Sequence, residues 1–99
     1  MTFMHVAQFV WNDGSDAVSV GAEVREALEG YVAQIDGVES YWCGPDAGFT
    51  SGNADFVVVG RFASRDAFVA YRDDPRHRAI SSDVIGPHLE SRSTVQLED

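Results

Sequence analysis

The chain has no lysine at all and only seven arginines, six of them after residue 60, against sixteen acidic residues, which gives a formal net charge of -9. A phosphate backbone is gripped by clustered Lys and Arg, so this balance argues against nucleic acid as a partner. The acids are scattered and not gathered in a tail, which makes solubility their ordinary use. Cysteine is nearly absent too. Cys43 stands alone, cannot close an intrachain disulfide and has no basic neighbour in sequence to activate it, so a packing role in a reducing cytoplasm is expected. No apolar stretch approaches the ~20 residues of a membrane span, and no membrane partner is expected. Residues 1–11 lack a basic leader and are interrupted by His5 and Gln8, which does not fit a secretion signal.

What is present is an ordinary globular interior: 44% hydrophobic residues, with two Trp, three Tyr and six Phe in 99 residues. That length suits one domain, residues 1–99. Phe3 to Trp11 is rich in β-branched and aromatic residues and runs into the turn formers Asn12-Asp13-Gly14-Ser15, which predicts a first strand. From Val20 the apolar residues Val24, Ala27, Leu28, Tyr31, Val32 and Ile35 follow the spacing of one helix face, stopped by Asp36-Gly37 with the glycine as a left-handed cap. Val38 to Cys43 reads as a second strand. A turn-rich connection from Gly44 to Asn53 leads to the valine-rich third strand, Asp55 to Phe62. A short second helix after Ser64 carries Ala67, Phe68 and Tyr71 on one face and ends at Pro75. A helical stretch around Ile80 to Ile85, a break at Gly86-Pro87 and a last strand near Ser93 to Glu98 complete the chain. The order β-α-β-β-α-β is that of an α+β, ferredoxin-like split βαβ fold: a four-stranded antiparallel sheet with its helices on one face.

In that topology strands one and three are central, and both are apolar at both parities. His5, Ala7, Phe9 and Trp11 alternate with Met4, Val6, Gln8 and Val10, and Phe56, Val58 and Phe62 alternate with Val57 and Val59. A sheet with one wet face would alternate apolar with polar residues. Helices cover only one face, so the second apolar face implies a homodimer stacked sheet to sheet.

Three local patterns, Met4-His5-Val6-Ala7-Gln8-Phe9, Ile35-Asp36-Gly37-Val38 and Phe68-Val69-Ala70-Tyr71-Arg72-Asp73-Asp74-Pro75-Arg76-His77, resemble the stress-responsive A/B barrel (dimeric α+β barrel) family. The most specific is the Tyr71-(x)3-Pro75-x-His77 element, and the likeness extends from His5 to the final Val95-Gln96-Leu97-Glu98. The resemblance implies a homodimer in which two sheets close a barrel, usually with no cofactor, and functions from stress proteins of unknown activity to plant polyketide cyclases. In those cyclases the histidine and tyrosine matching His77 and Tyr71 close a linear polyketide by an intramolecular aldol reaction, and a third histidine matches His5. Two departures accompany the match: a further cyclase histidine on strand three falls on Phe56, and Asp74 stands where many relatives carry a histidine before the proline.

The residue chemistry agrees with that carry-over. A neutral imidazole removes an acidic proton between two carbonyls near neutral pH, the role His77 would take, and a tyrosine hydroxyl such as that of Tyr71 stabilises the developing oxyanion. His5 would orient the substrate. Ala7, Phe9, Leu28, Phe56 and Val58 would form the apolar walls around a small apolar or polyketide-like ligand. The alternative is a non-catalytic stress-responsive or ligand-binding dimer, with His77 capping a helix end, His5 a satisfied core group and Tyr71 filling the core. His5, His77 and His88 lack the i, i+4 spacing of metal ligands, so no metal site is expected. Arg72, Arg76 and Arg78 bracket a helix end, where they receive a carboxylate ligand or offset Asp73 and Asp74, and solvated pairs are the plainer reading.

Overall fold

The computed structural model describes residues 2–99; residue 1, included in the expected domain span, lies outside them. Strands β1 (Phe3–Trp11), β2 (Val38–Pro45), β3 (Phe56–Phe62) and β4 (Leu89–Glu98) form an antiparallel sheet in the order β2-β3-β1-β4. Helix α1 (Ala17–Val32) connects β1 to β2, and helices α2 (Arg65–Asp73) and α3 (Pro75–Ile80) connect β3 to β4. The expected ferredoxin-like fold is the one observed, with β1 and β3 at its centre.

Several element boundaries differ from the sequence expectation, each for a local reason. Helix α1 starts at Ala17, three residues before Val20, because the Asp16 carboxylate caps it by accepting from the Val18 amide at 3.1 Å. It ends at Val32, so Ile35 lies beyond the helix and Gly37 is not its cap. Gly37 instead makes the turn into β2 at φ +85°, where a Cβ would come within 2.8 Å of the Ala67 Cβ. Strand β2 runs on to Pro45. Pro75 both stops α2 and opens α3. Asp74 before it is extended, as a residue preceding proline tends to be, and its carboxylate accepts from the Arg76 amide at 2.8 Å. A π-helical turn, Ser81–Ile85, and a short 3₁₀ turn, Gly86–His88, carry the chain through Gly86-Pro87 without a break. Strand β4 begins four residues earlier than expected because Leu89 to Arg92 pair along Trp11 to Phe9.

The inward side chains of β1 and β3 pack under the helices in two clusters. One joins Phe9, Trp11, Val24, Leu28, Phe56 and Val58. The other is aromatic, with Phe3, Tyr31, Phe62, Phe68 and Tyr71. His5, flanked on its parity by Phe3 and Ala7, lies between them and is only partly buried. Gly60 faces it across the sheet, and a side chain there would strike the Phe62 ring, since even a Cβ would be 2.8 Å from it. The outer face is apolar from edge to edge: register sets Trp42, Val59, Val6 and Val95 in one row across all four strands. Trp42 is 68% exposed, Val95 64% and Leu97 61%.

Candidate functional site

A cavity of about 580 Å³ opens between the inner face of the sheet and the helices. Its deep walls are buried side chains from both clusters, including Ala7, Phe9, Leu28, Val58 and Phe68, and its exposed rim carries Arg78, Ser82, Arg92 and Thr94. His5, Tyr71 and His77 all line it. Each arrives by a separate local rule. His5 follows from strand parity, Tyr71 from the buried stripe of α2, and His77 from the first turn of α3, where Pro75 and the Asp74 cap fix the helix start.

Tyr71 and His77 are close, with ring centroids 4.4 Å apart. His5 stacks obliquely on Phe68 at 4.8 Å and lies 6.4 Å from Tyr71. The Tyr71 hydroxyl is 2.8 Å from that of Tyr41 on β2, and the Tyr31 hydroxyl donates to the Tyr71 carbonyl at 3.1 Å. Gln96 on β4 holds the His5 ring through its amide, 2.9 Å from Nδ1.

The electrostatics favour neutral groups throughout. Burial, with some help from the nearby His77, pulls the His5 pKa down to about 4. Burial also lowers His77, against the opposing pull of the Arg72 carbonyl and Asp74. Tyr71 is pushed up to about 12 by burial, while its bond to Tyr41 works the other way; Tyr41 is driven higher still, by burial and then by Tyr71. Both phenols therefore keep their protons, and the two imidazoles are unprotonated near neutrality.

Of the expected wall residues, Ala7, Phe9, Leu28 and Val58 line the cavity and Phe56 does not. Phe56 shares their parity, but it sits at the end of β3 against Phe9 and Trp11, with Gly21 of α1 close above it, and is sealed in the core at 1% exposure. His88 lies elsewhere, with Nδ1 2.8 Å from the Ser15 hydroxyl. Cys43 is a buried free thiol pushed up to about 11 by burial, so it stays protonated and packs. The site residues that sequence reading passed over include Phe68, Ser81, Leu89, Arg92, Thr94 and Gln96. The last three alternate along β4, opposite in parity to Val95 and Leu97, and that period of two was the available signal. No helix among the described residues is long and apolar enough to cross a membrane.

The family comparison agrees with this architecture, since residues 3–99 match the model of the stress responsive A/B barrel domain. The chain belongs to the stress-responsive A/B barrel family. Among solved structures, a dimeric ferredoxin-like protein of unknown function from Thermobifida fusca is 37% identical to this A/B barrel chain, covers 100% of it and 92% of its own length, and superposes with a TM-score of 0.89. A dimeric protein of unknown function with a ferredoxin-like fold from Bacteroides fragilis is 22% identical over 99% of the chain and 96% of its own, with a TM-score of 0.85. A family protein with a ferredoxin-like fold from Mesorhizobium loti is 18% identical over 99% and 96%, with a TM-score of 0.78. At those last two identities the likeness is one of fold. No curated protein matches the A/B barrel chain at a significant level.

Proposed function

We propose that the chain is a single-domain cytoplasmic homodimer that acts without a cofactor on a polyketide-like β-dicarbonyl, closing it by an intramolecular aldol addition in the cavity of each subunit. The observation that supports this is the meeting of His77 and Tyr71, 4.4 Å apart, on one apolar-walled cavity. A proton between two carbonyls is acidic enough for a neutral imidazole to remove, and burial keeps His77 neutral. The electron pair left on carbon attacks a third, more distant carbonyl of the same chain, a C–C bond forms and closes the ring, and that carbonyl's π pair moves onto its oxygen. Tyr71 donates a hydrogen bond to that oxygen, and the imidazolium returns its proton there. With the Tyr41 hydroxyl donating to the Tyr71 oxygen, the Tyr71 hydrogen is free for the substrate. His5, its Nδ1 occupied by the Gln96 amide, offers Nε2–H as a positioning donor.

A linear triketone thioester, followed by NMR for the cyclised product, tests this reading. The His77→Ala variant should keep its far-UV spectrum and melting temperature and lose about 100-fold or more of kcat. Unchanged turnover in that variant overturns the assignment. The second reading, a dimer that only holds a ligand, has one observation in its favour: either hydroxyl of the Tyr41–Tyr71 pair can donate, and with Tyr71 as the donor it keeps no hydrogen for a substrate. Binding of the thioester with no cyclisation above the solvent rate decides for it.

Dimerisation through the outer sheet face accounts for the apolar row from Trp42 to Val95 and for Leu97 beside it; without it Trp42, Val95 and Leu97 stay more than half exposed. The relative 37% identical is described as dimeric. Sedimentation equilibrium at micromolar concentration should return twice the chain mass, and a single-chain mass refutes this assembly.

A further inference from the structure

The charges around the cavity point to a more specific ligand than its apolar walls do. In a chain of net charge -9, an arginine has no shortage of carboxylates to pair with. Five of the seven do so: Arg25 with Glu29, Arg61 with Glu39, Arg65 with Glu98, Arg72 with Asp73 and Arg76 with Asp74, at 2.6 to 3.6 Å. Among the described residues, Arg78 and Arg92 alone have no carboxylate within 4 Å. Both of them line the cavity.

Neither is placed there by the other's element. Arg78 comes from α3, one residue past His77, and Arg92 from the inward parity of β4, beside Thr94 and Gln96. Arg78 reaches Asp73 only through a longer-range attraction, since that carboxylate is held at 2.9 and 3.3 Å by Arg72. Arg92 is near enough to His77 for its charge to be felt there. The rim thus gathers two guanidiniums free to bond elsewhere, and Ser81 and Ser82 line the same cavity. The wider surface of the molecule is acidic and repels anions, and the apolar walls offer them nothing. A cation would meet two arginines at the entrance. A neutral ligand would leave both unused.

We infer that the ligand of this cavity is an amphiphilic acid: an apolar or β-dicarbonyl body seated among Ala7, Phe9, Leu28 and Val58, with a carboxylate at the rim between Arg78 and Arg92. This deepens the proposed function, resting on the same cavity, and it places the carboxylate end beside His77 and the body against the inner sheet. A planar guanidinium meets a carboxylate with two parallel hydrogen bonds, and a lysine-free chain has only this kind of cation to offer.

The test is a matched pair of probes, octanoate and octanamide, titrated calorimetrically into the full chain, with octyl phosphate as a third probe. Octanoate should bind about tenfold more tightly than octanamide, the preference of a charge-assisted over a neutral contact. It should also exceed octyl phosphate, whose second negative charge is repelled by the surrounding surface of a chain of net charge -9. Arg92→Gln and Arg78→Gln should each reduce the octanoate preference several-fold and leave octanamide unchanged. Arg92→Lys should recover part of it, and Arg25→Gln, on the distant face of α1, should change nothing. Equal affinity for octanoate and octanamide, no measurable binding of either, or a preference that survives both Gln substitutions overturns the inference. A preference for octyl phosphate moves the site to phosphate esters and overturns the carboxylate assignment. The binding readouts need no turnover: loss of cyclisation with the octanoate preference intact refutes the catalytic reading alone, and loss of the octanoate preference with cyclisation of the thioester intact refutes the acid-binding one alone.

Discussion

Acidification should destabilise the wild-type chain more than a His5→Gln variant, because His5 is held unprotonated in the fold. The His5 pKa falls from 6.5 to about 4, mainly through burial and secondarily through His77. Between those values the unfolded chain takes up a proton that the folded chain refuses, so folding stability falls as pH drops below about 6.5 and the loss levels off only near 4. His5 thus contributes no penalty above 6.5 and its full penalty below about 4. The hydrogen bond from Gln96 works in the same direction, since a proton on Nδ1 would face the amide N–H. The sequence pI of about 4.5 sets the lower end of a useful experiment, and about pH 5 keeps the protein anionic and dispersed. Over the window from 6.5 to about pH 5, at about 1.4 kcal/mol per pH unit and halved for the water that reaches the ring, the loss is about 1 kcal/mol. Glutamine at this position titrates nowhere in that range, and its lost packing on Phe68 is the same at both pH values. Urea unfolding followed by circular dichroism, at equal subunit concentration and at about pH 7.5 and about pH 5, should show the wild type losing about 1 kcal/mol more than the variant. Parallel losses in the two proteins would falsify the claim that His5 is buried as a neutral ring.

Three further substitutions separate packing from site function. Phe62→Ala removes a ring with no exposure, packed against Phe68 and Tyr71 at 5.4 and 4.9 Å, and should cost about 3–5 kcal/mol in urea unfolding. A cost under about 1 kcal/mol would mean that the aromatic cluster is loosely packed. Gly60→Ala puts a methyl group 2.8 Å from that same ring and should cost about 1–3 kcal/mol, visible as a lower melting temperature at unchanged far-UV signal. Tyr41→Phe deletes one partner of the 2.8 Å bond to Tyr71, should cost about 1 kcal/mol, and should lower kcat more than it raises KM, although Tyr41 does not line the cavity. Wild-type kcat in Tyr41→Phe would show that Tyr71 needs no help from it.

Much of the fold is legible because strong periodicities meet strong punctuation. The first strand, Phe3–Trp11, is bounded as read, since β-branched and aromatic residues run straight into Asn12-Asp13-Gly14-Ser15. The start of α1 was not, because Ala17 and Val18 face outward, Val18 being 80% exposed, and outward residues carry no apolar period; the legible signal was the Asp16 cap. Pro75 was read only as a stop, though proline at the first position of a helix costs nothing. The start of β4 lay hidden for a different reason. Its residues Leu89 to Arg92 are mostly polar, and their strand conformation is supplied by pairing with Trp11 to Phe9, a long-range cause that local sequence does not encode.

The site divides in the same way. His5, Ala7, Phe9, Leu28 and Val58 are found by parity and helix face, which are local. Phe56 has the right parity and the wrong depth, because depth is set by Gly21 and Trp11 from other elements. Arg78 and Arg92 were invisible as a pair for a related reason. Sequence shows which acids are near, and Asp73 and Asp74 lie within reach of Arg72, Arg76 and Arg78 alike; the folded side chains decide that Arg72 and Arg76 take them.

The strict alternation of β1 gives the two faces of one strand different work. Inward residues Phe3, Ala7, Phe9 and Trp11 anchor the helices and leave His5 as the polar member facing the cavity, and outward residues Met4, Val6 and Val10 belong to the apolar row and its neighbours. Because neighbouring side chains point to opposite sides of a backbone a single residue thick, a charge introduced at Val6 would attack the face proposed for dimerisation and reach the cavity only through small shifts of the strand. The two functions are therefore separable by substitution in a way that a site built at the subunit boundary would not allow. Gln96 and Val95 repeat the arrangement on β4, one holding His5 and the other completing the outer row. A one-residue slip of β4 would exchange them, removing the His5 partner and putting an amide into the apolar row at once. Both faces penalise the same error, so the register of this edge strand is fixed from two sides.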